Sequence, residues 1–358
     1  MSRLTIAIPT FRRPEDLKRA VGGVLEQASE LAAGPTAEAS GPRTDAEAGT
    51  EGDAAGATDA KGGAGEDVSD IEVLVIDNDA QGSGREAALA AAADAGVPVR
   101  FPADAPVESG GMSVRYVVEE RPGVAAVRNR ALDETAERDL LIFIDDDEEP
   151  EPGWLAALVG LWASTGCQAV AGPVIPVYEV EPEAWVRQGE FFVRRTWPTG
   201  TVRPVAASNC LLLDLGFVRR AGLRFDEAFG ATGGEDTLFT RRLSAAGGVI
   251  RWCDEARVRD HVPASRLTRP WILRRQRSHA ATSVRVELAL AGGGAQPAIR
   301  ARAAAGGLVR IVVGGLRTAG GTLIGNPRHA AKGARLLARG RGILAASTGG
   351  GVHREYDH

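Results

Sequence analysis

The sequence predicts an α/β protein: a mainly parallel, doubly wound sheet flanked by helices, followed by a basic helical C-terminal extension. Three observations predict it. Short apolar runs alternate with segments of helical period, the pattern of strands joined by crossover helices. Those apolar runs end in polar loops. The charge also changes sign along the chain. The net charge is only −5, yet residues 266–341 hold 14 Arg, one Lys (Lys332) and one acid (Glu287), a balance of +14 that leaves −19 for the rest.

Residues 4–8 (LTIAI) read as a short buried strand, and Pro9 ends it. Pro14 suits a first helical turn, and Leu17, Val21, Val24 and Leu25 continue at helical spacing. Residues 34–70 change character. They carry nine acids, two bases (Arg43, Lys61) and no aromatic residue. Such a composition cannot bury enough apolar surface to order itself, so a flexible acidic insertion is expected. Residues 71–76 (IEVLVI) form the second strand, residues 84–95 a helix, and residues 96–112 an irregular Gly/Pro-rich stretch. Residues 114–118, 123–136, 140–144 (LLIFI) and 154–164 then read as strand, helix, strand and helix.

Composition bounds the function. The 358 residues suit one large domain or two smaller ones. With 44% hydrophobic and 25% charged residues, a disordered chain, a coiled coil and a collagen-like fibre are excluded. Cys167, Cys210 and Cys253 are scattered and odd in number, which fits a reducing compartment better than a disulfide framework. The N-terminus lacks a long apolar leader, and no window of about 18 apolar residues exists, so neither a signal peptide nor a membrane span is expected.

The chemistry lies in the loops. Ligands of parallel sheets bind beyond the carboxyl ends of the strands. Three strands here end in Pro9-Thr10-Phe11-Arg12-Arg13, Asp77-Asn78-Asp79 and Asp145-Asp146-Asp147-Glu148-Glu149. The five consecutive acids follow a buried strand directly, where like charges are costly unless a cation neutralises them. Hard oxygen donors suit Mg²⁺ or Mn²⁺, especially beside a diphosphate. Asp145 and Asp147, two apart, face one side of an extended chain. Asp77, at the end of its strand, is either a turn-forming residue or a contact to a nucleoside. Arg128 is either a surface charge or, with a metal-bound diphosphate nearby, a useful cation. Gly233-Gly234-Glu235-Asp236 opens a helix, where an acid either favours the helix start or acts as general base.

Taken together, five segments resemble the inverting family-2 glycosyltransferases of GT-A fold, in particular the bacterial succinoglycan-type enzymes that build exopolysaccharides. They are IAIPTFRRPEDLKRAV (6–21), VLVIDND (73–79), GVAAVRNRAL (123–132), LIFIDDDEEPEPGWL (141–155) and GGEDTLFTRRLSAAG (233–247), in the order of the family. The resemblance spans residues 4–261 and implies roles residue by residue. Pro9, Thr10, Phe11, Arg13, Asp77, Arg128, Asp145 and Asp146 would bind the nucleotide sugar. Asp147, with Asp145 and His261, would hold Mn²⁺ or Mg²⁺. Asp236 would be the catalytic base and Glu235 its neighbour. The implied donor is a UDP-sugar, and the acceptor a saccharide or lipid-linked glycan of cell-surface polysaccharide synthesis. The mechanism implied is a single displacement with inversion. The Q-x-x-R-W motif of processive members is missing, since Gln276 is followed by Arg277-Ser278-His279-Ala280, so one sugar is expected per encounter.

The aromatic residues of the segment 172–209 are candidates to stack on an acceptor sugar, Trp197 foremost, with Asn209 beside them. Three units are expected: a catalytic domain (1–265), a basic helical region (266–346) and a flexible tail (347–358). The basic region also suits an anionic membrane surface, and so a cytoplasmic protein peripheral on the inner face of the plasma membrane. No recognised nucleic-acid motif accompanies that charge. Two other classes share parts of this pattern. A sugar-1-phosphate nucleotidyltransferase would need a Gly-rich N-terminal loop, and residues 9–14 contain no Gly. A non-catalytic carbohydrate-binding protein would not need both acidic motifs.

Overall fold

A computed structural model describes residues 2–33, 68–101 and 111–350. The first strand, β1 (Ser2–Thr10), runs into α1 (Pro14–Ala33), with Pro14 at its first position. Next come β2 (Val68–Asp77), α2 (Arg85–Asp94), β3 (Val99–Arg100), β4 (Gly111–Val118), α3 (Val124–Glu134) and β5 (Leu140–Phe143). The second half continues with β6 (Glu148–Pro150), α4 (Trp154–Thr165), β7 (Ala169–Ala171), β8 (Val174–Tyr178), α5 (Ala184–Gly189), β9 (Val202–Arg203), β10 (Leu211–Asp214) and α6 (Leu215–Arg220). It closes with α7 (Glu235–Ala245), β11 (Ile250–Trp252), β12 (Val258–Val262), α8 (Arg269–Leu290), α9 (Gln296–Leu323) and α10 (Pro327–Ser347).

Nine strands form one sheet in the order β3-β4-β2-β1-β5-β10-β7-β11-β9. It is mainly parallel; β10 and the edge strand β9 run against their neighbours. Alternation along each strand feeds two cores. Leu4, Ile6 and Ile8 of β1 face α1, α2 and α4, whereas Ala7 shares the other face with α3, α6 and α7. Helices on both faces make the sheet doubly wound, as expected. The β1–β2 and β1–β5 pairs are parallel, with Thr10 opposite Asp77 and Ala7 opposite Phe143, so all three polar loops leave one edge.

Several boundaries move. The expected insertion at 34–70 falls outside the described residues up to 67, but its last three residues already belong to β2. The expected tail begins inside α10, and residues 351–358 lie outside the described part. The acid run does not remain a loop: its end forms β6, which pairs with β12, and β12 pairs in turn with β8. Cys167, Cys210 and Cys253 are buried free thiols. Among the described residues no helix is long and apolar enough to cross a membrane.

Candidate active site

Two lobes of about 510 and 530 Å³ open at the strand edge and share Arg128, Asp145, Asn209, Asp260, Arg266 and Trp271 among their walls. They form one continuous cleft.

The first lobe is built from the ends of β1 and β5. Pro9, Thr10, Phe11 and Arg13 line it, together with Asp145, Asp146 and Asp147. The Thr10 hydroxyl donates to Asp146 Oδ2 at 2.8 Å, and Arg13 Nη1 reaches Asp146 and Asp147, each at 3.1 Å. Asp147 Oδ2 also accepts from Arg266 Nη1 at 3.0 Å. Glu148 is buried; it accepts from Asn209 Nδ2 at 2.6 Å and from the Asp145 N–H at 3.1 Å. Burial pushes the Asp146 carboxyl up to about 7 against the pull of Arg13, and Asp147 adds to the rise. Burial and the nearby Asp145 likewise hold Glu148 well above the ordinary carboxylate range.

The second lobe is walled by Phe191 and Phe192, by Gly233–Thr237 at the start of α7, and by one face of α8. Glu235 and Asp236 occupy the first turn of α7. Gly234 has φ +93°, and a Cβ there would meet Thr282 of α8 at 2.1 Å, so only glycine lets this loop lie against the helix. Glu235 is 3% exposed and pairs with Arg128, while its other oxygen, Oε2, has no hydrogen-bond partner among the described residues. Burial raises its carboxyl to about 7; Arg128 opposes and Asp236 reinforces the rise. Arg128 also approaches Asp145 at 3.7 Å and so ties the two lobes together. Asp236 is partly buried, and its Oδ1 accepts from the N–H and, at 3.2 Å, the hydroxyl of Thr237.

Three expected site residues are placed elsewhere. Asp77 is fully buried, and its carboxylate accepts from Tyr116 Oη (2.7 Å), Gly84 N (2.7 Å) and Asp79 N (2.9 Å), so it braces the β2 loop instead of facing the cleft. His261 sits on β12 and pairs with Glu149 at 3.0 Å, outside the cleft lining. Trp197 packs edge-on to Trp252 with ring centroids 4.9 Å apart, under the Arg203 guanidinium, and leaves the second lobe to Phe191 and Phe192. Asn209 does line both lobes.

Other residues appear that sequence reasoning missed. Arg194 ion-pairs with Asp260 at 3.0 Å, and Trp271 stacks on Phe192 with ring centroids 6.1 Å apart. Asn78 donates to the carbonyls of Glu119 (2.7 Å) and Arg121 (2.8 Å) and accepts from Gly123 N, which joins two of the loops. Its place in Asp77-Asn78-Asp79 was the available signal. Among the described residues no group of three or more His, Cys, Asp or Glu side chains stands in metal-holding geometry.

Residues 64–211 match the family model described as Glycosyl transferase family 2. The Succinoglycan biosynthesis protein ExoM of Rhizobium meliloti (strain 1021) is 33% identical over 212 residues, which make up 58% of this chain and 62% of that protein. The chain thus matches less than two thirds of that relative's length. Among solved structures, GalNAc-T7 with UDP, GalNAc and Mn²⁺ aligns with a TM-score of 0.47 at 14% identity, over 79% of this chain and 51% of that one. The resemblance to family-2 glycosyltransferases carried by the motifs is borne out. Arg128 and the acid run lie inside the matched residues; β1 and the Glu235-Asp236 turn lie outside them.

Proposed function

We propose, from the family-2 glycosyl transferase pattern of residues 64–211, that this chain is an inverting, non-processive glycosyltransferase. It moves one sugar from a nucleotide-sugar donor, a UDP-sugar, to a saccharide or lipid-linked acceptor in cell-surface polysaccharide synthesis. The observation that carries this reading is the continuous cleft, with the acid run in one lobe and the Glu235-Asp236 turn in the other, joined at Arg128 and Asp145.

The donor set fits a divalent ion. Asp145 and Asp147 offer hard oxygen donors on one wall of the lobe, beside the buried carboxyls of Asp146 and Glu148. Asp145 and Asp147 would hold Mg²⁺ or Mn²⁺, which supplies charge stabilisation for the leaving diphosphate. The protein's own groups do the rest. Pro9, Thr10 and Phe11 bound the donor lobe, and Arg13 and Arg266 stand where they can pair with phosphate oxygens. Phe191, Phe192 and Trp271 offer aromatic faces to the acceptor sugar. Asp236 takes the proton from the acceptor hydroxyl as its oxygen attacks the anomeric carbon from the face opposite the diphosphate. One displacement inverts the configuration.

Two measurements test the reading. Nucleotide release from a panel of UDP-sugars should depend on added Mn²⁺ or Mg²⁺. Calorimetric titration of UDP should show metal-dependent binding that Asp147→Asn weakens. An Asp147→Asn protein with unchanged Mn²⁺ dependence would remove Asp147 as a ligand, and no nucleotide release with any donor would remove the transferase reading.

A further inference from the structure

The C-terminal helices carry an unusual surface. Seven large apolar side chains between 308 and 324 stand exposed: Leu308, Val309, Val312, Val313, Leu316, Leu323 and Ile324. Leu316 is 72% and Leu323 86% exposed. Single exposed apolar residues are ordinary, but a contiguous stripe of them marks an interaction surface.

The arrangement of α9 explains the stripe. Gly307, Gly314 and Gly321 recur every seventh residue and are buried against α10. A Cβ at Gly314 would meet the backbone N of Leu337 at 2.5 Å, and one at Gly307 the backbone O of Gly340 at 3.0 Å. The two helices therefore touch backbone to backbone. At 3.6 residues per turn, Leu308, Val309, Val312, Val313, Leu316 and Leu323 fall on the side of α9 turned away from this seam. Ile343 of α10 flanks Gly307 and Ile299 of α9 packs on the α8–α10 cluster, while Leu308, Val309, Val312, Val313, Leu316 and Leu323 are left for something outside the hairpin.

Charge says what that is. Helices α9 and α10 together contain eight Arg and one Lys and not a single acid. Arg302 and Lys332 pair with Glu287 and Glu190 of neighbouring elements, but Arg310, Arg317, Arg328 and Arg341 are exposed. An apolar stripe bordered by unopposed arginines is complementary to a surface with negative headgroups over an apolar interior. A second copy of the same face would oppose like charge to like charge. We infer that the α9–α10 hairpin lies flat on an anionic membrane, with the exposed face of α9 entering the headgroup–acyl boundary. The hairpin packs on α8 through α10, and α8 walls the second lobe of the cleft. The membrane face and the acceptor lobe thus share one helical support. The inference is independent of the transfer reaction, and its test reads no turnover.

The test is flotation of the full chain with vesicles of phosphatidylglycerol and phosphatidylcholine in equal parts, against phosphatidylcholine alone, at low and at high salt. Binding should favour the anionic vesicles and weaken with salt. The double variant Val312→Asp/Leu316→Asp, at sites exposed in the fold, should keep the melting temperature and partition at least tenfold less. A second readout covers a variant that misfolds: the added Trp emission of Leu316→Trp should be quenched by bromine-labelled acyl chains. Equal binding to both vesicle types, full binding by the double variant, or unquenched added emission from Leu316→Trp overturns the inference. So does a dimer, seen by light scattering, that the double variant converts to monomer, because the stripe would then be covered by a second copy.

Discussion

Replacing Asp236 by Asn should abolish sugar transfer while leaving the fold and the donor affinity almost unchanged. Asp236 is the second residue of α7, and its Oδ1 accepts from the N–H and hydroxyl of Thr237. Asparagine keeps that acceptor oxygen and gives up only the carboxylate's charge in the first turn, so stability should change by no more than about 1 kcal/mol. The residue lies in the second lobe, among the lining contributed by α7 and α8, and is absent from the wall formed by β1 and β5. Nucleotide affinity should therefore be spared. What asparagine cannot do is accept the acceptor's proton, and general-base catalysis contributes about 10²–10⁴-fold in rate. Turnover, calorimetric affinity for UDP and melting temperature, measured on the same variant, separate this role from simple capping. A turnover within about tenfold of wild type falls below the usual general-base contribution and would refute the reasoning.

Further predictions rest on particular contacts. Burial sets Glu235 near 7 in the fold against about 4.3 in an unfolded chain, so the protonated form is the one the fold favours. The stability tied to it is fully present below about pH 4 and is lost as pH rises through about 7, at up to about 1.4 kcal/mol per pH unit. The melting temperature should fall between those values, Glu235→Gln should flatten that fall, and an identical pH profile in the variant would contradict it. Gly314→Ala places a Cβ against the Leu337 backbone and should cost about 1–3 kcal/mol by denaturant unfolding, whereas Gly315→Ala, which meets open space, should not destabilise. Trp197→Ala should lower the melting temperature through its lost packing on Trp252 and leave KM for the acceptor unchanged; a raised KM would return Trp197 to the acceptor site.

The parallel half of the molecule was legible because its strands are buried on both faces and read as unbroken apolar runs, each ending abruptly in polar residues. Thr10, Asp145 and Asp146 follow from that pattern, since a strand end at the shared edge fixes where the next side chains emerge. Side-chain direction was harder. Asp77 sits at the correct edge, yet Tyr116 and the Gly84 N–H draw its carboxylate inward, and neither partner is signalled by the residues around Asp77. His261 is diverted in the same way by Glu149 across the small three-stranded sheet. The strands that carry Arg194's partner Asp260 and that flank Asn209 are short, and a few apolar residues give no period to read.

The break expected at residue 265 shows what a composition shift does and does not mark. Acid content collapses there, the mark of a separate basic unit in the sequence. The contacts run straight across it. Arg266 reaches Asp147 at the end of the acid run, Trp271 stacks on Phe192, and Thr282 lies where any side chain at Gly234 would have to go. Helix α8 is therefore wall and not appendage: both lobes take lining from it, and the turn that carries Glu235 and Asp236 rests on it. Beyond residue 265, Arg266 pairs with Asp147 of the acid run, and Arg274 and Arg275 line the same lobe. In this lobe, opposite charges from the two sides of residue 265 meet in space, so the composition shift there does not mark the edge of the site.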